Sequence, residues 1–174
     1  MLGGLLLLSA CARREAPVLT SEPPLPPAAP APAWLGADWA RREPLAWFAP
    51  ERDLLQTYSP RGAAAPVVLY AHVTPAEAKE LGAAPLDRVA QRLAAAMRTH
   101  SELLADQPWS GPGFSAARRL TVRGTAPDGV AGRLHGQILI GACADGGLVV
   151  CGVLLPAGGD ESLIERVLGD VPRS

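Results

Sequence analysis

The sequence predicts an α+β domain, an antiparallel β-sheet sandwich with two main helices packed on the sheet. Three observations carry this. A β-branched and aromatic run, Pro66-Val67-Val68-Leu69-Tyr70-Ala71-His72-Val73, is followed by apolar residues at helical spacing, Leu86, Val89, Leu93 and Met97. A meander with glycine turns comes next and ends in a nearly wholly apolar segment, 148–155. A second apolar stripe at helical spacing, Leu163, Ile164, Val167, Leu168 and Val171, closes the chain.

The elements follow in order. Residues 34–48 hold Trp34, Trp39, Trp47 and Phe48 among Arg41, Arg42 and Glu43, which reads as core packing by an N-terminal strand or turn. The sharper alternative is an aromatic patch facing a ligand. Leu54-Leu55-Gln56-Thr57-Tyr58 is a strand candidate closed by Ser59-Pro60-Arg61-Gly62. In the strand over 66–73, Val67, Leu69, Ala71 and Val73 form a core face, with Val68, Tyr70 and His72 opposite. Thr74-Pro75-Ala76-Glu77 has the capping-box order of N-cap, N1 proline and N3 glutamate, and Gly82 can end that short helix.

A longer helix is predicted over 85–100. Asp87 lies in its first turn and Arg98 and His100 in its last, as the helix dipole favours. Its stripe of Leu86, Val89, Leu93 and Met97 faces the core, while Arg88, Gln91, Arg92 and Arg98 point outward. Trp109-Ser110-Gly111-Pro112-Gly113 is a loop, and a three-stranded meander follows it. Its first strand, 119–123, turns Leu120 and Val122 inward before a turn at Ala126-Pro127-Asp128-Gly129. Its second strand places Leu134, Gly136, Ile138, Ile140 and Ala142 on one face. Asp145-Gly146-Gly147 turns the chain into the apolar strand 148–155, which is expected to be central. Asp160 is the expected cap of the last helix.

Charge excludes one function class. Sixteen Lys+Arg stand against seventeen Asp+Glu. Leaving out Arg13, Arg14, Glu15 and Glu22 keeps that balance in 34–174. No broad field is available to attract nucleic acid. Lys79 is the only lysine and asparagine is absent, a bias that a GC-rich genome explains without any preference for guanidinium groups.

Three segments are expected: a signal peptide over 1–10, a lipidated cysteine with a Pro/Ala-rich spacer over 11–33, and one domain over 34–174. Leu2-Gly3-Gly4-Leu5-Leu6-Leu7-Leu8-Ser9-Ala10 is far shorter than the ~20 apolar residues that span a bilayer, and it has the length of a signal-peptide core. It ends in Leu8-Ser9-Ala10-Cys11, which resembles the bacterial lipobox: an aliphatic residue, two small residues, then cysteine. The resemblance implies cleavage before Cys11 and lipid on its thiol. Two or three acyl chains, at ~0.8 kcal/mol per buried methylene, hold a protein on a membrane permanently. No Lys or Arg precedes the run, so either the start lies upstream or the N-terminal amine supplies the charge. Ala12 stands where many inner-membrane lipoproteins carry aspartate, which implies the outer membrane, facing the periplasm. The run Pro23-Pro24-Leu25-Pro26-Pro27-Ala28-Ala29-Pro30-Ala31-Pro32 is expected to be an extended spacer.

The strand over 67–73, the helix over 86–97, the Gly146-Gly147 hairpin and the helix over 163–171 resemble the PsbP-like fold. Periplasmic DcrB-type lipoproteins and the Mog family of Ran-binding proteins share that fold. The resemblance covers most of 44–171 and rests on pattern rather than a chemical motif. It implies binding or assembly of other proteins.

Catalytic motifs are scarce. The chain has no G-x-S-x-G, no G-x-x-x-x-G-K-[ST] and no H-E-x-x-H, and it reads as a non-enzyme without cofactor. His72, His100 and His135 lie far apart with no paired spacing, and no metal is expected. Cys143 and Cys151 flank the predicted hairpin as a possible disulfide. As diagonal neighbours they would often exceed the Cβ–Cβ reach of ~3.5–4.5 Å, so two buried thiols are the competing reading. The expected function is a membrane-anchored binding or assembly module for another envelope protein. The alternatives are an accessory of a secretion or motility machine, and an envelope hydrolase built on dispersed residues such as His135.

Overall fold

The computed structural model describes residues 31–43, 45–51, 54–98, 100–125 and 132–172. The predicted signal peptide, Cys11, most of the spacer and the turn at 126–129 lie outside them. Seven strands form one antiparallel sheet: β1 (Trp39–Arg42), β2 (Gln56–Pro60), β3 (Val67–Val73), β4 (Ser101–Trp109), β5 (Ala116–Thr125), β6 (Arg133–Ala142) and β7 (Leu148–Pro156). The spatial order is β1-β2-β3-β7-β6-β5-β4. Helices α1 (Pro75–Glu80) and α2 (Pro85–Met97) carry the chain from β3 to the far edge at β4. Four strands then meander back until β7 pairs with β3. Helix α3 (Ser162–Asp170) follows β7.

The two main helices lie on opposite faces, so the layers run helix, sheet, helix. On one face Val89, Ala90, Leu93 and Met97 of α2 pack with Trp47, Phe48, Leu120, Val122, Leu134, Ile138 and Val150. On the other, Leu163, Ile164, Val167 and Leu168 of α3 pack with Val68, Leu139, Val149, Cys151 and Val153. Strand β7 is flanked by β3 and β6 and feeds both cores through its alternating side chains, as a wholly apolar strand must.

Local chemistry explains several boundaries. Thr74 caps α1 through a complete capping box, and Gly82, at φ 96°, follows its end. Pro85 opens α2, where its missing N–H costs nothing. The β6–β7 turn runs through Gly146, at φ 92°, and Asp145 accepts a hydrogen bond from the Gly147 amide at 2.9 Å. The last helix starts at Ser162, yet the Asp160 carboxylate still accepts from the Ser162 amide at 3.0 Å.

Three expectations need correction. Helix α2 ends at Met97, so Arg98 and His100 lie beyond its last turn. The second strand begins at Gln56 rather than Leu54. The meander has four strands, because 101–109 forms β4 where the sequence offered no strand signal. Its residues are mostly exposed and carry a register shift between Leu103 and Ala105, which breaks the alternation that marks a strand. Arg92 stands on the exposed face as expected, but its Nε and Nη2 donate to both carboxylate oxygens of Glu51, at 3.2 and 2.6 Å, and Glu51 is only 7% exposed.

Candidate binding surfaces

Cys143 and Cys151 are both free and buried. The ladder shows why they do not pair. The Cys143 amide bonds the Gly147 carbonyl at 2.9 Å, whereas Cys151 stands opposite Leu139. Both face the α3 core, but they lie four residues apart along the ladder, about 13 Å at ~3.3 Å per residue. They are not diagonal neighbours, the possible disulfide is out of reach, and the pair stand as two buried thiols, the competing reading. Burial pushes the Cys151 thiol up to about 12 and raises that of Cys143 as well.

The histidines stay apart. His72 is exposed on β3, His100 follows α2, and His135 on β6 lies with its Nε2 3.7 Å from Glu161. Among the described residues no three His, Cys, Asp or Glu side chains converge as a metal set would require. The tryptophan-rich segment divides. Trp47 and Phe48 are wholly buried on the α2 face, and the Trp47 Nε1 donates to the Thr125 carbonyl at 2.8 Å. Trp34 and Trp39 remain partly exposed and line a cleft of about 210 Å³ against Leu163, Arg166 and Asp170 of α3.

Among the described residues no strand pairs with the outer edge of β4. The large hydrophobic side chains exposed among the described residues are Leu103 and Leu104, at 39% and 47%. They sit side by side where the register shifts. The main-chain ladder to β5 holds this edge, and charged groups add to it. The Arg118 guanidinium takes both Asp106 oxygens, at 3.0 and 2.6 Å, and also bonds Asp87 in the first turn of α2. These carboxylates raise the Arg118 pKa above its ordinary value. Arg123 bonds Glu102, its direct cross-strand partner, at 3.0 Å. The distal end is closed by Trp109 and Phe114, in edge contact at 6.1 Å, with the Arg119 guanidinium 5.6 Å from the Trp109 ring centre. Phe114 lies flat over Gly141, where a Cβ would come within 2.3 Å of its ring.

An edge strand offers a row of main-chain donors and acceptors to an added strand, with side chains for specificity. β4 keeps that row partly guarded by Glu102, Asp106 and Pro108, which limits indiscriminate pairing. No protein-family model matches the chain, and no curated protein matches its sequence. Sequence reasoning did not find this surface. The signals present were the adjacent Leu103-Leu104 pair in a polar stretch and Pro108, which belongs in a strand only at an edge. Among the described residues no helix is long and apolar enough to cross a membrane.

Proposed function

We propose that the chain is a bacterial envelope lipoprotein, anchored by lipid on Cys11, whose domain binds or helps assemble another envelope protein through the β4 edge. The observation that carries the anchor is the order Leu8-Ser9-Ala10-Cys11 after a short apolar run, with a proline-rich stretch behind it. Small residues at 9 and 10 give a peptidase access to the bond before Cys11. A proline-rich spacer of ~3 Å per residue where extended holds the domain off the bilayer, within reach of neighbouring envelope proteins. Ala12 favours the outer membrane, facing the periplasm. The binding role rests on the paired leucines at the free edge and on a PsbP-like reading of the fold, supported by the order of β3, α2, the β6–β7 hairpin and α3.

Two measurements test this reading. Cys11→Ser is expected to leave a precursor of unaltered length and to shift the protein out of detergent-extracted membranes. A variant as tightly membrane-bound as the wild type overturns the anchor. A photo-crosslinker at Leu104, in cells, is expected to trap a discrete envelope protein that a crosslinker at His72, exposed on β3, does not. Identical products from both positions count against the β4 edge.

A further inference from the structure

Where β4 begins and β5 ends, the surface forms a polar depression of about 260 Å³ lined by Arg98, His100, Glu102, Arg123 and Arg133. The three arginines come from three elements. Arg98 follows α2, Arg123 stands on β5 and Arg133 opens β6. Three arginines against one glutamate leave a surplus of two positive charges here, on a chain whose net charge is −1. Glu102 bonds Arg123 alone, at 3.0 Å, and Arg98 and Arg133 form no ion pair among the described residues. Two guanidinium groups without a carboxylate partner thus line one hollow beside Arg123, which shares Glu102.

The floor is stiff. The Thr125 amide donates to the His100 carbonyl at 3.1 Å, the Trp47 indole holds the Thr125 carbonyl, and the Ser101 hydroxyl donates to the Met97 carbonyl at 3.0 Å. Gly124 lies so close to this layer that a Cβ would come within 2.5 Å of Ser101 and 2.6 Å of both the His100 carbonyl and the Trp47 ring. The backbone roots of Arg98 and Arg123 are thus fixed relative to each other, and β6 pairs Arg133 directly with Thr125.

We propose that this depression is an oxyanion site for a phosphate group, free or esterified. Guanidinium forks match the geometry of phosphate oxygens and bond them with charge assistance. The hollow is open, so a phosphate can carry an organic substituent into solvent. The group belongs either to a soluble phosphate ester or to a lipid headgroup, and both present the same chemistry to the arginines. This inference does not depend on Cys11 or on the β4 edge.

The test uses the full chain carrying Cys11→Ser, with inorganic phosphate as the probe and chloride at equal ionic strength as the control. Phosphate is expected to shift the amide resonances of Arg123, Gly124, Thr125 and Arg133 in a saturable way. The double variant Arg98→Gln/Arg133→Gln removes two guanidinium groups that hold no ion pair, so its thermal unfolding is expected to match the parent. Its phosphate affinity is expected to fall by ~10-fold or more. In a second arm, vesicles of phosphatidylglycerol and of phosphatidylcholine are sedimented with both proteins. Parent binding to the anionic vesicles alone, lost in the double variant, assigns the phosphate to a lipid headgroup. Vesicle binding that is absent or unchanged by the substitutions, alongside lost phosphate shifts, assigns it to a soluble ester. Phosphate shifts no larger than those of chloride, or undiminished in the double variant, overturn the proposal.

Discussion

Strands β4 and β7 are each nine residues long, yet eight residues of β7 are buried and none of β4 is. Position in the sheet accounts for the contrast. β7 is fourth of seven, and its alternating side chains enter the core shared with α2 on one side and the α3 core on the other. Among the described residues β4 is outermost and pairs only with β5, with Arg118 and Arg123 adding exposed ion pairs to its carboxylates. One strand specifies the fold. The other is free to specify what the protein touches.

The sharpest way to break this contrast is to place the same carboxylate in both strands. Val150 is wholly buried on β7, between Ala71 and Ile140. An unpaired carboxylate there has no partner to offset its desolvation, and Val150→Asp is expected to cost more than ~5 kcal/mol, enough to abolish folding of a domain held by ~5–15 kcal/mol. Gln107→Asp, on exposed β4, is expected to stay within ~0.5 kcal/mol. Circular dichroism and urea unfolding compare the two. A folded Val150→Asp protein would remove β7 from the centre of the sheet.

That contrast also governs what the sequence revealed. β7 was legible because Leu148 to Leu155 is apolar throughout, and α2 and α3 because their stripes recur at helical spacing. β4 was not, because Ser101, Glu102, Asp106 and Gln107 form no alternating face and the shift between Leu103 and Ala105 breaks the period. The capping box at Thr74 and the turn at Gly146 are set by neighbours in sequence, so reading them requires no tertiary information. The hollow between Arg98, Arg123 and Arg133 depends on how α2, β5 and β6 meet, and nothing in their spacing announces it. The pairing of Arg92 with Glu51 spans 41 positions and was invisible for the same reason.

Two adjacent residues on α2 give the next measurements. Leu93 is wholly buried against the sheet, and Leu93→Ala is expected to cost ~2–5 kcal/mol in urea unfolding. Arg92 is 46% exposed, so its ion pair is weakened by solvent, but its loss strands the nearly buried Glu51 carboxylate. Arg92→Ala is expected to cost ~1–2 kcal/mol, and much less in a Glu51→Gln background. Equal, small losses from Leu93→Ala and Arg92→Ala would mean that α2 is not docked.

A smaller effect appears in alkali. An ordinary unfolded thiol ionises near pH ~8.5, whereas burial holds Cys151 at about 12. The folded state keeps the proton that the unfolded chain releases, so this thiol leaves stability untouched below the unfolded pKa and lowers it as pH rises from there towards 12. At pH 9 the difference is slight. Cys151→Val is expected to remove part of the decline between pH 9 and 11, seen in urea midpoints, and native Cys151 is expected to react with a thiol reagent only on unfolding. Rapid labelling of Cys151 in the native protein would show that the α3 face opens.

The smallest stability effect is expected at Leu104, and there it separates structure from function. At 47% exposure, beside a register shift on the outermost strand, this side chain removes little area from water when the chain folds. Leu104→Ser is therefore expected to change unfolding free energy by no more than ~0.5 kcal/mol. Its backbone remains, so the main-chain row that an added strand would use is intact. What is lost is apolar surface next to Leu103, which the proposed partner would bury on docking. Pull-down of the envelope protein identified by crosslinking is expected to fall several-fold while the urea midpoint stays in place. A loss of ~2 kcal/mol or more would instead show that Leu104 is packed in the native protein. In that case the β4 edge is closed, and the difference between the two strands is one of degree.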